Sequence, residues 1–190
     1  MANFVYVIVD ETTREGIVVD SGWETDPILG AVADMGATVK FVVASHEHFD
    51  HTQTLSELAG RTGGKVVAHE NSPLECDIRV TNGEEIRFGR SKVKVFHTPG
   101  HTHDSITLYD GKHAFTGDTL FIGTIGRMSL STAESMYRSL YEIICRLPES
   151  TTIYPGHDYG DVPFRSLGEE KKSNPYLMAE DLRSFLSSFS

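Results

Sequence analysis

Four short apolar runs in this chain end in turns that carry histidine or aspartate, and that recurrence limits the folds open to it. Residues 39–44 run into Ser45-His46-Glu47-His48-Phe49-Asp50-His51, and residues 93–96 into His97-Thr98-Pro99-Gly100-His101-Thr102-His103-Asp104. Ala114-Phe115 leads to Thr116-Gly117-Asp118, and residues 152–154 to Pro155-Gly156-His157. Val-, Ile- and Phe-rich runs of this length read as strands. A sheet that brings several strand ends to one rim collects all these groups in one place. The expected architecture is therefore a mixed α/β sandwich, with helices covering sheets.

Further strands are expected at residues 5–9, 17–19, 66–68 and 106–109. Asn82-Gly83 and Asp110-Gly111 signal tight hairpins, because both central residues tolerate positive φ. Helices are expected at 26–34, capped by Thr25 or Asp26 with Pro27 in the opening turn, and more weakly at 54–59. A clearer helix covers 133–147, capped by Ser131 or Thr132, with Met136, Leu140, Ile143, Ile144 and Leu147 on one face. After a charged stretch at 168–174, a last amphipathic helix aligns Met178, Leu182, Phe185 and Phe189. This gives a catalytic domain over residues 1–165 and a helical tail over 166–190 packed on it.

Composition narrows the function classes. With 190 residues and 39% hydrophobic content, the chain suits one compact core. A net charge of -10 with no basic run argues against nucleic acid and anionic membrane surfaces as partners. Cys76 and Cys145 are far apart and outside any metal-spacing motif, which excludes a disulfide framework and points to a reducing, cytosolic setting. The N-terminal sequence lacks the pattern of a cleaved leader, and no apolar run reaches the length of a membrane span.

Three imidazoles and a carboxylate within six positions are hard to explain by packing. Residues two apart in an extended segment point the same way, so His46 and His48 can converge on one ion while Asp50 and His51, past the bend, face a second. The Pro99-Gly100 turn aims His101 back over the strand ends, Gly100 permitting a close backbone approach. His97 and His103 also read as a strand residue and an outer or solvent-facing group. Asp118 has two oxygens with which to bridge two cations, which neutral imidazole lacks. His157 follows the fourth strand by the same turn logic.

The pattern His46-x-His48-x-Asp50-His51, followed by His101, Asp118 and His157, resembles the signature of the metallo-β-lactamase superfamily, over roughly residues 5–159. The resemblance implies an αββα four-layer sandwich with the metals in a groove at one edge of the sheets. It implies one site held by His46, His48 and His101, another by Asp50, His51 and His157, and Asp118 shared. Aspartate at 118 looks like the hydrolase branch, since the drug-degrading lactamases use a thiolate there. Residues 115–121, Gly126-Arg127 and 154–159 look most like glyoxalase II and the persulfide dioxygenases, and the tail Glu169-Glu170-Lys171-Lys172-Ser173-Asn174-Pro175-Tyr176-Leu177 is similar in both groups. Thr124-Ile125-Gly126-Arg127 departs from the Gly-Cys-Gly usual before the basic residue, and Thr52 from the glycine often found after His51.

The expected activity is hydrolysis of a small thioester or related thiol-derived compound by one or two divalent ions, zinc first, with iron or manganese also compatible. Such ions lower the pKa of bound water from about 16 towards 7. Asp50 and Asp118 are the candidate catalytic carboxylates, Asp50 orienting that water or accepting its proton, and Arg127 is the candidate for binding a substrate carboxylate. The alternative is a persulfide dioxygenase with one iron on His46, His101 and Asp118. A noncatalytic metal module is disfavoured because such sites are rich in cysteine.

Overall fold

The computed structural model describes residues 2–187. Strands β1 (Tyr6–Val9) and β2 (Glu15–Val19) form an antiparallel hairpin. The chain continues through helix α1 (Thr25–Asp34), strand β3 (Thr38–Val43), the single turn α2 (Phe49–Thr52), helix α3 (Leu55–Thr62), β4 (Lys65–His69) and β5 (Ile78–Val80). Parallel pairing of β2 with β3, β3 with β4 and β4 with β5 completes a five-stranded sheet in the order β1-β2-β3-β4-β5.

A second sheet is built from β6 (Glu85–Phe88), β7 (Ser91–His97), β8 (Ile106–Tyr109), β9 (His113–Gly117), β10 (Thr152–Pro155) and β11 (Arg165–Ser166). Its order is β11-β10-β9-β8-β7-β6, antiparallel except where β10 runs parallel to β9. Helix α4 (Ala133–Arg138) links β9 to β10, and α5 (Leu167–Ser173) and α6 (Leu182–Ser187) follow β11.

The side-chain period of two along each strand divides the core. Ile17 and Val19 of β2 pack between the sheets with Val43, Val67 and Val80, facing Phe88, Val93, Val95, Ile106 and Leu108 of the second sheet. Val18, one residue out of phase, turns to the opposite face, where Ile28 and Val32 of α1 and Leu55 and Leu58 of α3 cover the first sheet. Ala114 and Ile153 on the outer face of the second sheet meet Met136, Leu140, Ile144, Leu167, Leu177 and Phe185. The layers are thus helix, sheet, sheet, helix, the αββα sandwich expected from the sequence.

Parallel pairing has a direct consequence for function. Because β3 runs parallel to β2, and β10 parallel to β9, each pair ends at the same edge. Asp20 and His46 follow one pair; Asp118 and His157 follow the other. The N-terminal residues close this rim: Asn3 forms a bridge with His157, and Phe4 N–H donates to Gly156 O at 2.9 Å.

Several local expectations need correction. Asn82-Gly83 does not join a hairpin, since β5 and β6 belong to different sheets and this turn hands the chain from one to the other. The expected helix over 133–147 is α-helical only to Arg138; it widens into a π-type turn over Ser139–Ile143 and tightens to 3-10 geometry over Ile144–Arg146. The widening starts at Ser139, whose hydroxyl donates to Pro99 O at 2.7 Å and so ties this segment to the His101 turn. Helix α1 begins one residue early, with Glu24 as its N-cap, and Thr25 donates instead to Glu57 at 2.6 Å.

The charged stretch 168–174 is largely helical, opened by a reciprocal capping box between Ser166 and Glu169, a Ser-x-x-Glu signal present in the sequence. Met178 is 59% exposed rather than core, whereas Phe185 is fully buried. Phe189, expected on the same face, lies outside the described residues. Among the described residues, no helix is long and apolar enough to cross a membrane.

Candidate metal centre

The seven predicted histidine and aspartate residues meet at the shared rim in two groups, His46/His48/His101/Asp118 and Asp50/His51/His157. In the first, His101 Nε2 lies 2.9 Å from His48 Nδ1 and 3.4 Å from Asp118 Oδ2, with His46 Nε2 at 4.0 Å from that oxygen. In the second, His51 Nε2 lies 3.1 Å from His157 Nε2 and 3.7 Å from Asp50 Oδ2. Asp118 stands between them, its Oδ1 3.4 Å from His51 Nε2 and its Oδ2 3.3 Å from His157 Nε2. Four donors around a tetrahedral ion at about 2.0–2.2 Å sit roughly 3.3–3.5 Å from one another, and these separations bracket that spacing.

Local folding sets the direction of each ring. Asp20 accepts from Ser45 N–H at 2.8 Å and from the Ser45 hydroxyl at 2.9 Å, so the Ser45 oxygen is left to accept from His46 Nδ1 at 3.0 Å. That leaves His46 Nε2 bare toward the centre. His51 Nδ1 likewise donates to Asp20 Oδ2 at 2.9 Å, and His101 Nδ1 to the Arg127 carbonyl at 2.7 Å. Each hydrogen bond fixes a tautomer whose other nitrogen offers a lone pair to the site. Asp50, on the single turn α2, accepts from the Asn3 amide at 2.9 Å.

The backbone leaves no slack here. A Cβ added to Gly156 would lie 2.3 Å from Asp118 Oδ1 and 2.9 Å from His51 Cε1, so only glycine lets the His157 turn pass this close. Gly100 also makes a close approach, but to Met136 of α4, where an added Cβ would lie 2.5 Å from Met136 Cα, and not to the centre itself.

Electrostatics divide the cluster. Burial, reinforced by the neighbouring imidazoles, holds His46 well below its ordinary pKa, and burial also lowers His101. Burial pulls His51 the same way, but the Asp20 and Asp118 carboxylates prevail and push it up to about 10. Asp118 sits well below the usual carboxylate range: its burial acts upward, and His157 and His51 outweigh it.

Whether these residues suit metal ions is tested by their unmet needs. His46 Nε2 and Asp118 Oδ1 are buried with no hydrogen-bond partner. Each such atom costs about 1–3 kcal/mol unless something coordinates it. Imidazole and carboxylate donors at these separations, with bare atoms facing inward, fit divalent cations.

The metallo-beta-lactamase superfamily profile matches residues 1–157, most of the chain. This chain belongs to the metallo-β-lactamase superfamily. Its relatives in that superfamily include human mitochondrial persulfide dioxygenase ETHE1, 33% identical over 180 residues that cover 92% of this chain and 71% of that protein. Hydroxyacylglutathione hydrolase of Cereibacter sphaeroides is 34% identical over 183 residues, 93% of this chain and 70% of the relative. The crystal structure of ETHE1 from Myxococcus xanthus superposes with a TM-score of 0.92 at 35% identity, covering 98% of this chain and 84% of that one. The protein is accordingly a metal-dependent enzyme of the metallo-β-lactamase fold, with a metal-binding site of histidine and aspartate side chains.

Other histidines of this superfamily member stand apart from the two groups. His97 stacks on His69 at 4.0 Å and its Nε2 lies 2.8 Å from the His103 carbonyl. Arg127 is exposed, and among the described residues its guanidinium makes no hydrogen bond or ion pair; its backbone carbonyl, unforeseen, anchors His101. Asp20, Ser45 and Asn3 are the functional neighbours that sequence reasoning missed. Asp20 had a signal, for it follows an apolar strand as His46 does.

Proposed function

We propose that this protein is a hydrolase of small thioesters. In this reading one divalent ion is held by His46, His48 and His101 and another by Asp50, His51 and His157, with Asp118 shared. The observation that carries it is that the second group is organised as fully as the first: Asp20 orients His51, Asn3 holds Asp50, and Gly156 admits His157. When bound, the ions supply Lewis acidity and a water acidic enough to attack near neutral pH. Zinc suits this mixture of imidazole and carboxylate, as do iron and manganese.

The chain's own residues do the rest. Asp50 is partly exposed, and the Asn3 amide holds its carboxylate below the usual range against the upward effect of burial; it orients the attacking water and takes its proton. The unpartnered Arg127 guanidinium binds a carboxylate of the substrate. Tyr159 stacks on His157 at 4.7 Å and offers the thiol-derived part of the substrate an aromatic surface. Residues 1–165 form the catalytic domain, and 166–190 a tail whose Leu167, Leu177 and Phe185 share its outer core. The unpaired Cys76 and Cys145 suit a cytosolic setting.

A second reading is favoured by one observation, the likeness to the Myxococcus xanthus ETHE1 structure over nearly the whole chain, tail included. It is a persulfide dioxygenase with one iron on His46, His101 and Asp118. Elemental analysis of purified protein, with parallel assays of acyl-thioester cleavage and persulfide-dependent oxygen uptake, separates the two. Two ions with cleavage support the hydrolase; one iron with oxygen uptake and no cleavage overturns it. For Arg127→Ala, a KM for acidic thioesters raised about tenfold with little change in kcat is expected, on the pattern of lost uniform binding.

A further inference from the structure

We propose that Asn3 is a positioning residue for the Asp50 half of the centre, locked in orientation by Trp23, and that the Trp23 indole reports occupancy of that half. The inference rests on the two-ion reading above. The two ends of an asparagine amide are nearly identical in shape, so a neighbour that can only donate decides which way it is turned. Indole N–H is a donor only, and Trp23 Nε1 lies 3.0 Å from Asn3 Oδ1. The Asn3 oxygen is therefore turned to Trp23 and its NH2 to Asp50.

That NH2 reaches Asp50 Oδ2 at 2.9 Å and the Asp50 carbonyl at 3.2 Å. Oδ2 is the same oxygen that lies 3.3 Å from His157 Nε2. Asn3 cannot drift from this post. Its backbone is bridged to His157, with Phe4 N–H donating to Gly156 O and Asp158 N–H to Ala2 O. Trp23 is in turn braced by Phe49, edge to face at 5.4 Å, one residue before Asp50. Among the described residues, the hydrogen bonds and ion pairs that the chain Trp23, Asn3, Asp50 makes to the centre go to the second group, and none goes to His46, His48 or His101.

Outer groups that orient ligands are worth about 10–100-fold in metal affinity. Trp23 is the only tryptophan in the chain, so its emission reads one environment. The test adds Zn2+ to metal-stripped wild type, Asn3→Leu, Trp23→Phe and His157→Ala, following heat, bound ions after dialysis, and indole emission. Wild type takes two ions, and its emission shifts with the ion that His157→Ala fails to bind. Asn3→Leu keeps one ion at wild-type affinity, weakens the other about 10–100-fold, and loses the emission shift. Trp23→Phe keeps an aromatic ring without the N–H and weakens the same ion by a smaller factor.

Affinity for that ion within twofold of wild type in Asn3→Leu overturns the proposal, as does wild-type emission indifferent to it. Should Asn3→Leu fail to fold by circular dichroism, Trp23→Phe decides: a weakened second ion supports the proposal and an unchanged one overturns it. A wild type that takes only one ion overturns the two-ion reading itself, a result distinct from either of these.

Discussion

The two halves of the centre are supported by different chemistry. His46 and His101 lean on neutral groups, the Ser45 hydroxyl and the Arg127 carbonyl. His51 leans directly on the Asp20 carboxylate, and Asp50 on the Asn3 amide. Burial lowers the pKa of His46 and His101, whereas the Asp20 and Asp118 carboxylates prevail over burial at His51 and raise it. Asp20 serves both, reaching His46 only through Ser45. A centre of two similar-looking ligand sets thus has one half backed directly by dipoles alone and one backed by a charge as well. Removing a support should accordingly harm the second half more.

The comparison fails first if the halves are not joined, and the shared carboxylate tests that most severely. Asp118→Ala is expected to lower the metal content of both halves and to cut kcat/KM by about 10³-fold or more, the scale of losing several kcal/mol of Lewis-acid stabilisation. Full activity at unchanged metal content would remove Asp118 from its role. Next, His101→Ala and His157→Ala each take a proposed ligand from one half only. Elemental analysis should show one ion lost in each, and turnover of thioesters should fall about 10²-fold or more in both, if both halves act on the substrate. Undiminished turnover in His157→Ala would confine the chemistry to the first half.

A finer test exchanges the supports. Asp20→Asn keeps the shape and removes the charge, and is expected to weaken zinc binding at the His51 half by about 10–100-fold. Ser45→Ala removes a neutral relay and should weaken the His46 half by less; equal losses would erase the distinction drawn between dipole and charge.

The mildest effect lies outside both halves. Asp10 accepts from Thr12, Thr13, Arg90 and Ser91, joining the β1–β2 turn to the β6–β7 turn across the two sheets. The Ser91 hydroxyl and the Thr13 amide hold its carboxyl well below the usual range. A carboxylate depressed in the folded state stabilises fully above its unfolded pKa of about 3.9, and that contribution is lost as the pH falls toward the folded value. Asp10→Asn should lower the melting temperature at pH 7 modestly and flatten its decline below about pH 4. Metal content at neutral pH should not change, which would separate scaffold from centre.

Legibility in the sequence followed the range of the interaction. His46, His48, Asp50, His51, His101, Asp118 and His157 could be picked out because each sits in a turn directly after an apolar run, a local pattern. The capping box at Ser166 and Glu169 is an equally local signal. Asn82-Gly83 signals a turn and forms one, but not a hairpin, because a turn signal does not say which sheet receives the next strand. The departure of residues 139–146 from α geometry had no local signal; it accompanies the bond from Ser139 to Pro99, forty residues away. Asn3 carried no pattern at all, since its meaning depends on meeting Asp50, Trp23 and His157 at once.

By itself, then, the order of residues determined most of the strands, though not β5, β6 or β11, most of the helices, the layered class of fold and the chemical identity of the inward-facing donors. These depend on hydrophobic period and turn chemistry, which act over a few residues. Tertiary structure alone decided which oxygen of Asp118 meets which ring, and which second neighbour holds each imidazole in its tautomer. Those choices turn on differences of an ångström between atoms that are remote in the chain, and only the packing of two sheets sets distances of that kind.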